Sequence, residues 1–347
     1  MLLTLNSTSS FLQNETAPGQ QSSTCIFVDS TAERISQICA YCVILLGSLF
    51  GNMFIIIIVY KNRDLRKTVN YFIVNMAVSD LLFPMFFLPV QITQLATYSR
   101  QWHVSGILGS IFCKLFYFAS SVSLLVSAQS LVWIAIDRFV AVVFPMKLGL
   151  ISTKIRTIAI ISTWIFAGVF NFPWLLTWKL VERGNNTACE IIFTEPVLPN
   201  QEAFAAYTWL YTTLVSFAPL VVMTVLYSVI TVALKRQNKA LTYSAPSLQR
   251  LSLKKRRQAI QMAVVIVVMF YICVIPQTLK YIIYNLRPSC VLLKPSIYFI
   301  ASFALSSSSV VNPIICLLFV RSFRRGLRNM LRSCCRQRNS RELNASK

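Results

Sequence analysis

Asp137-Arg138-Phe139 closes an apolar run just ahead of Pro145. An arginine in that place is expensive in hydrocarbon unless it meets a wet cavity or a neighbouring acid. Asp137 is the counter-charge the sequence itself supplies, so the pair is a candidate working site. Asp80 is a second group of this kind. It stands in the middle of another apolar run, where a carboxylate must be paired, protonated or bound to a cation, and hard oxygen donors suit a hard cation. Enzyme chemistry finds no support. There is no nucleophile and base constellation, no phosphate-cradling loop and no Cys or His spacing of a metal site, and the single histidine, His103, stands alone beside Trp102.

Groups of this kind need apolar helices to hold them. The chain has 347 residues, 56% hydrophobic and 13% charged, with a mean hydropathy of +0.62, values of a membrane protein. A hydrocarbon core about 30 Å thick takes about 20 apolar residues per helix. Seven candidate spans run near 36–60, 70–96, 110–143, 155–178, 204–234, 259–284 and 293–319. The expected division is a segment over 1–35, a membrane domain over 36–319 and a basic tail over 320–347.

Basic residues set the expected orientation. The segments after spans 1, 3 and 5 carry Lys61, Arg63, Arg66 and Lys67, then Lys147, Lys154 and Arg156, then a run from Lys235 to Arg257, and the tail is basic from Arg321 to Lys347. The segment before span 1 has only Arg34. The positive-inside rule makes the basic segments cytoplasmic, with the N-terminus extracellular and the C-terminus cytoplasmic. A net charge of +22 is then explained by topology and anionic lipid headgroups, and no nucleic acid is expected as a partner.

The first 35 residues show no apolar stretch preceded by basic residues, so span 1 is expected to direct insertion and no cleaved signal is expected. Sequons at Asn6, Asn14 and Asn185 fall on the expected outer face as glycosylation sites, whereas that at Asn344 should stay bare. Of ten cysteines, Cys39, Cys42, Cys273 and Cys316 lie within spans, where a thiol is a small buried hydrophobe. Cys113 and Cys189 both face the oxidising side, so a disulfide is expected there, and Cys25 and Cys290, the remaining outer pair, are expected to form a second bridge. Cys334 and Cys335 stand in an Arg-rich amphipathic segment past span 7, a setting for palmitoylation.

The motifs stand one per span: Gly51-Asn52; Asn75 to Asp80; Cys113 and, 25 residues on, Arg138; Trp164 with Pro173; Pro219 with Tyr227; Phe270 with Pro276; Asn312-Pro313. Together they resemble the rhodopsin-like, class A G-protein-coupled receptors, most like the neuropeptide-receptor group, over about 35–335. The resemblance implies an all-α membrane protein, a seven-transmembrane helix bundle with a short cytoplasmic amphipathic helix 8, in the plasma membrane. It implies a heterotrimeric G protein as the cytoplasmic partner, with arrestin and a receptor kinase besides. Arg138 is the arginine that would meet the G-protein α subunit, Asp137 its restraint in the off state, and Phe139, Met146 and Tyr227 the neighbours of that contact. Asp80, Ser127, Ser309 and Asn312, beside Asn52, resemble the family's buried sodium site, and the alternative there is a protonated, hydrogen-bonded Asp80.

Departures from the pattern are equally specific. Val274 stands where the family has a tryptophan two residues before the span 6 proline, Cys316 where span 7 has a tyrosine, and Arg256 where some members carry an acid facing the arginine. Ser120 replaces the aspartate of amine receptors, so an amine held by that salt bridge is not expected, and Ser306 replaces the lysine that binds retinal, which excludes an opsin. Gln91, Gln94, Lys114, Tyr117, Ser120, Ser121, Gln277, Lys280, Tyr281 and Tyr284 are candidate ligand contacts, a set of amides, phenols and hydroxyls suited to a peptide. A lipid or another small molecule is the alternative ligand. A channel or transporter built round Asp80 is the alternative of a different class.

Overall fold

The computed structural model of the chain describes residues 30–99, 101–144, 151–183, 186–193, 195–241, 247–286, 295–319, 323–328 and 332. Asn6, Asn14, Cys25, Met146, Asn185, Cys290, Cys334 and Cys335 lie outside the described residues, as do the side chains of Arg256 and Tyr284.

Seven helices among the described residues are long and apolar enough to cross a membrane: Thr31–Lys61, Thr68–Thr97, Gly106–Val143, Thr153–Thr177, Gln201–Gln237, Ile260–Ile283 and Pro295–Phe319. They are spans 1 to 7 below. Most start or end a few residues beyond the apolar runs, because a helix need not stop where the hydrocarbon does. Span 6 itself stays within its run, but the helix that contains it covers Ser247–Leu286 and carries the basic residues 254–257.

Local chemistry explains the ends and the irregular turns. Ser30 caps span 1 in a reciprocal box: Glu33 N donates to Ser30 Oγ at 3.2 Å and Ser30 N to Glu33 Oε2 at 2.8 Å. Such a cap contributes about 1 kcal/mol. Span 5 carries a π turn over Thr213–Phe217 immediately before Pro219, whose ring would clash with the carbonyl four residues back in a regular helix.

Span 3 is the hub. Its most apolar window is 67% buried, against 22% in span 5, and it packs against spans 2, 4, 5 and 6, while span 1 closes the ring onto spans 2 and 7. The reverse face of the bundle is apolar and uncovered: Val43, Phe50, Ile107, Ile165, Val169 and Val221 are all more than half exposed. Such a belt is stable only in hydrocarbon. Cys39, expected as a buried thiol, is exposed and Cys42 half-exposed, because span 1 lies at the rim; Cys273 and Cys316 are buried.

Two elements join the bundle outside the spans. An antiparallel hairpin, β1 over Trp178–Arg183 and β2 over Asn186–Ile191, sets Leu180 opposite Cys189. After span 7 a short helix covers 323–328, with Phe323 fully buried. Spans 1 and 7 also approach closely at Gly51, where an added Cβ would lie 2.7 Å from Pro313 Cγ. Overpacking of this kind costs about 1–3 kcal/mol. Gly51→Ala is therefore expected to lower the thermal midpoint of the purified protein by several degrees, and an unchanged midpoint would show that the two spans do not meet there.

Candidate functional site

The polar groups fall at three depths along the bundle. In the middle, Asp80 is 4% exposed and Ser127 2%. Ser127 Oγ donates to Asp80 Oδ1 at 2.7 Å and Asn312 Nδ2 to Asp80 Oδ2 at 2.7 Å. Span 2 is thereby tied to spans 3 and 7 at one carboxylate. Asn52 adds span 1, with its Nδ2 donating to the Ser309 carbonyl at 2.8 Å. The Ser309 hydroxyl itself is turned back to the Ser306 carbonyl at 2.8 Å. Asn52 Oδ1 is buried with no hydrogen-bond partner among the described residues. Sequence reasoning passed over Ser79 and Ser123, which complete this cluster through Ser79 Oγ to Ser127 Oγ at 2.7 Å and Ser123 Oγ to the Ser79 carbonyl at 2.6 Å. The signal was present, since Ser123, Ser127 and Ser130 repeat at helical spacing on one face of span 3.

Nearer the basic end, Asn75 joins three spans: its Nδ2 donates to Ser130 Oγ at 2.9 Å, and Trp164 Nε1 donates to its Oδ1 at 2.8 Å. Below it, Arg138 donates to Asp137 through Nε at 3.1 Å and through Nη2, forming the one ion pair among the described residues. Phe139 and Tyr227 pack on a small apolar cluster of Val142, Ile230, Leu234 and Ile260 that joins spans 3, 5 and 6. Tyr227 Oη is buried without a hydrogen-bond partner among the described residues. Span 7 offers it no phenol, since Cys316 occupies the matching place and is fully buried. Gln258 Nε2 reaches from span 6 to the Phe319 carbonyl at 2.9 Å. Span 6 is thus held at this end by one apolar cluster and by few polar ties among the described residues.

The opposite end carries the disulfide. Cys113 and Cys189 are bonded, with Cα atoms 5.7 Å apart, so the hairpin is tethered to the start of span 3. Trp102 N donates to the Thr187 carbonyl at 2.7 Å and fastens the first loop to β2. Trp178, fully buried, stacks on Tyr117. Among the other candidate contacts, Gln91 is buried and Gln94 and Lys114 are half-buried. Ser120 Oγ is turned back to the Phe116 carbonyl at 2.6 Å, and the Ser121 carbonyl accepts from Tyr211 Oη at 3.0 Å. Gln277 is half-buried, Lys280 Nζ lies 4.2 Å over the Tyr298 ring, and Tyr281 Oη meets Thr208 Oγ1. Nearer the middle of the bundle, spans 5 and 6 are also tied by Tyr271 Oη donating to the Ser216 carbonyl at 3.0 Å. Trp178, Thr208 and Tyr271 were missed in the sequence because nothing in their spacing separates them from ordinary packing residues.

A family model described as 7 transmembrane receptor (rhodopsin family) matches residues 51–315, well over half of the chain. The chain belongs to the rhodopsin family of seven-transmembrane receptors. It is therefore a G-protein-coupled receptor and not an enzyme. The receptor is 27% identical over 310 residues to the substance-P receptor of Mus musculus, covering 89% of this chain and 74% of that protein. It is 27% identical over 331 residues to the QRFP-like peptide receptor of Branchiostoma floridae, covering 92% and 80%. The neuromedin-K receptor of Homo sapiens is 27% identical over 297 residues, covering 85% of this receptor and 61% of its own length.

Proposed function

We propose that this receptor binds an extracellular peptide at its disulfide end and passes the signal to a heterotrimeric G protein at its basic end, in the plasma membrane, with the N-terminus outside. The observation that carries the peptide reading is the likeness to receptors named for substance P and for a QRFP-like peptide along at least 89% of the chain. Geometry supports it. The indole N–H groups of Trp102 and Trp178 at that end are buried without an acceptor among the described residues, and a peptide backbone supplies one carbonyl acceptor per residue. The orientation rests on the basic residues after spans 1, 3 and 5. Arrestin and a receptor kinase are further partners in this reading, and Cys334 and Cys335 are lipid-anchor sites for the tail.

Coupling follows from the asymmetry of span 6. Its disulfide-end half is tied to span 5 through Thr278 and Tyr281, Tyr271 adds a tie to span 5 near the middle, and the basic-end half below it rests on an apolar cluster. Outward movement of that half exposes the Arg138 region, and a G protein that binds this state shares the shift with the ligand. Pro276 lies between the two halves and supplies a bend point. The test is a peptide library applied to the receptor in nanodiscs with nucleotide exchange on purified G protein as readout, run beside lipid and small-molecule libraries. A peptide hit is expected. Exchange evoked by a lipid and by no peptide would overturn the ligand class, and ion flux in liposomes without exchange would point to a channel.

Sodium belongs to the same reading. The oxygens of Asp80, Ser127 and Ser309, the side chain of Asn312 and the orphaned Asn52 Oδ1 form a hard donor set suited to Na+. An ion held there would brace spans 2, 3 and 7 in the arrangement described, so it opposes any state that moves span 7. Replacing Na+ by N-methylglucamine is expected to raise agonist affinity by about 5- to 150-fold, the usual size of such coupling, and Asp80→Asn should abolish the difference. A sodium effect that persists in Asp80→Asn would place the ion elsewhere.

A further inference from the structure

Spans 3, 4 and 5 enclose a cleft of about 370 Å³ that the sites described above do not use, lined by Leu125, Gln129, Ser162, Phe166 and Leu214. Leu125 is its floor, 1% exposed, while Ser162 and Phe166 are exposed at its mouth. On the same span as the mouth, Ile165 and Val169 belong to the uncovered apolar belt. What enters the cleft therefore comes from hydrocarbon and not from water.

Gln129 is out of place in such surroundings. Its Nε2 is buried with no hydrogen-bond partner among the described residues, and an amide kept from water without a partner is costly. Its depth is that of the mid-bundle cluster: Ser127, two residues earlier on the same helix, donates to Asp80, and two residues advance a helix by about 3 Å. Ser162 adds an acceptor to the cleft. Its hydroxyl hydrogen is given to the Ala159 carbonyl at 2.8 Å, which leaves lone pairs on the oxygen. Among the described residues that line the cleft none is charged, so its polar chemistry is neutral donor and acceptor placed together. The wall on span 5 is irregular as well, since Leu214 belongs to the π turn over Thr213–Phe217, a distortion frequent at functional sites.

We propose that this cleft binds a neutral acyl carboxamide dissolved in the membrane, its head paired with the Gln129 side chain and its chain lying along the apolar belt of span 4. A carboxamide holds a donor and an acceptor side by side, as the glutamine side chain does, so the two close a ring of hydrogen bonds that neither obtains from hydrocarbon. A charged headgroup is too costly at this depth, and an ester carbonyl accepts but does not donate. At about 30 Å³ for a water-sized group, the cleft takes about a dozen non-hydrogen atoms, the head and the first part of a chain. Cavities of about 300–1,000 Å³ hold small ligands. The inference rests on the receptor's placement in a membrane and not on its peptide or its coupling, so binding is read directly.

In the experiment, the full-length receptor in phosphatidylcholine nanodiscs is titrated with a photoreactive oleamide analogue, and the labelled peptides are mapped by mass spectrometry. Saturable labelling of spans 3 to 5 is expected, with displacement by unlabelled oleamide and not by equimolar methyl oleate, which has the same chain but no donor. Gln129→Leu keeps the bulk and removes the amide. It should weaken binding at least about tenfold, the effect of losing two neutral hydrogen bonds, without lowering the thermal midpoint of the unliganded receptor. A packing role for Gln129 gives the reverse, a lower midpoint with binding unchanged, and would overturn the site. Ser162→Phe narrows the mouth at an exposed position and should also weaken binding several-fold, so it decides the matter if Gln129→Leu does not fold. Unweakened binding in a folded variant of either kind, or equal displacement by methyl oleate, overturns the proposal. Stronger displacement by oleic acid than by oleamide would assign the cleft to a protonated carboxyl and overturn the carboxamide, and displacement by equimolar cholesterol would overturn it in favour of a sterol.

Discussion

Arg138→Ala is expected to abolish ligand-stimulated nucleotide exchange while leaving surface expression and ligand affinity within about threefold of wild type, a change well below one hydrogen bond to a charged group. The guanidinium is the group with strong donors at the basic end of span 3, and its only charged partner among the described residues is its own neighbour, Asp137. Whatever takes Arg138 from Asp137 must offer acceptors of comparable strength, and carbonyls at the C-terminal end of a helix do so. Truncating one side of a buried, charge-assisted contact costs about 2–5 kcal/mol, which is roughly 30-fold to several thousand-fold in coupling. Asp137→Asn acts in the opposite direction. It keeps an acceptor but loses the charge, which lowers the contact from about 1.5–3 to about 0.5–1.5 kcal/mol, so exchange without ligand should rise roughly tenfold. Full coupling in Arg138→Ala, or unchanged basal exchange in Asp137→Asn, would mean that the pair is only a buried charge satisfying itself.

Loss of the disulfide is expected to remove ligand binding and most surface delivery. The bond joins residues 76 apart in sequence, and a loop of that length corresponds to about 4 kcal/mol of chain entropy in the unconstrained state. More than stability depends on it, because the tether sets the hairpin and with it Trp178 against Tyr117. Cys189→Ser and Cys113→Ser should therefore resemble each other and the double variant in saturation binding on intact cells and in thermal midpoint. Binding retained in Cys189→Ser would show that the hairpin is placed by its own contacts, Trp102 to Thr187 and Trp178 to Tyr117, rather than by the bond.

Much of this receptor is legible in its sequence because hydrocarbon is a strict solvent. Backbone groups there must be satisfied within the segment, so seven apolar runs of sufficient length can only be seven helices, and the few charged groups within them, Asp80, Asp137 and Arg138 among them, become visible as exceptions. The Asp137, Arg138 and Asp80 sites and the Cys113 to Cys189 bond follow from that logic. The hairpin was not legible: 178–191 reads as loop, because its pairing depends on a tether and on a floor formed by spans 3 and 4. Nor was the direction of side chains on one helix face. Only the tertiary structure shows that the Ser120 hydroxyl donates to its own helix and that the Ser121 carbonyl accepts from Tyr211. Rim and core cysteines of spans 1 and 7 are equivalent in hydropathy, and only the packing order exposes Cys39 and buries Cys316. Composition determines which segments enter the membrane, since transfer energy adds along a segment. Which face of each helix meets a neighbour, and so which polar atoms find partners and which, like Asn52 Oδ1 and Tyr227 Oη, are left without one among the described residues, is decided by contacts between residues distant in the chain.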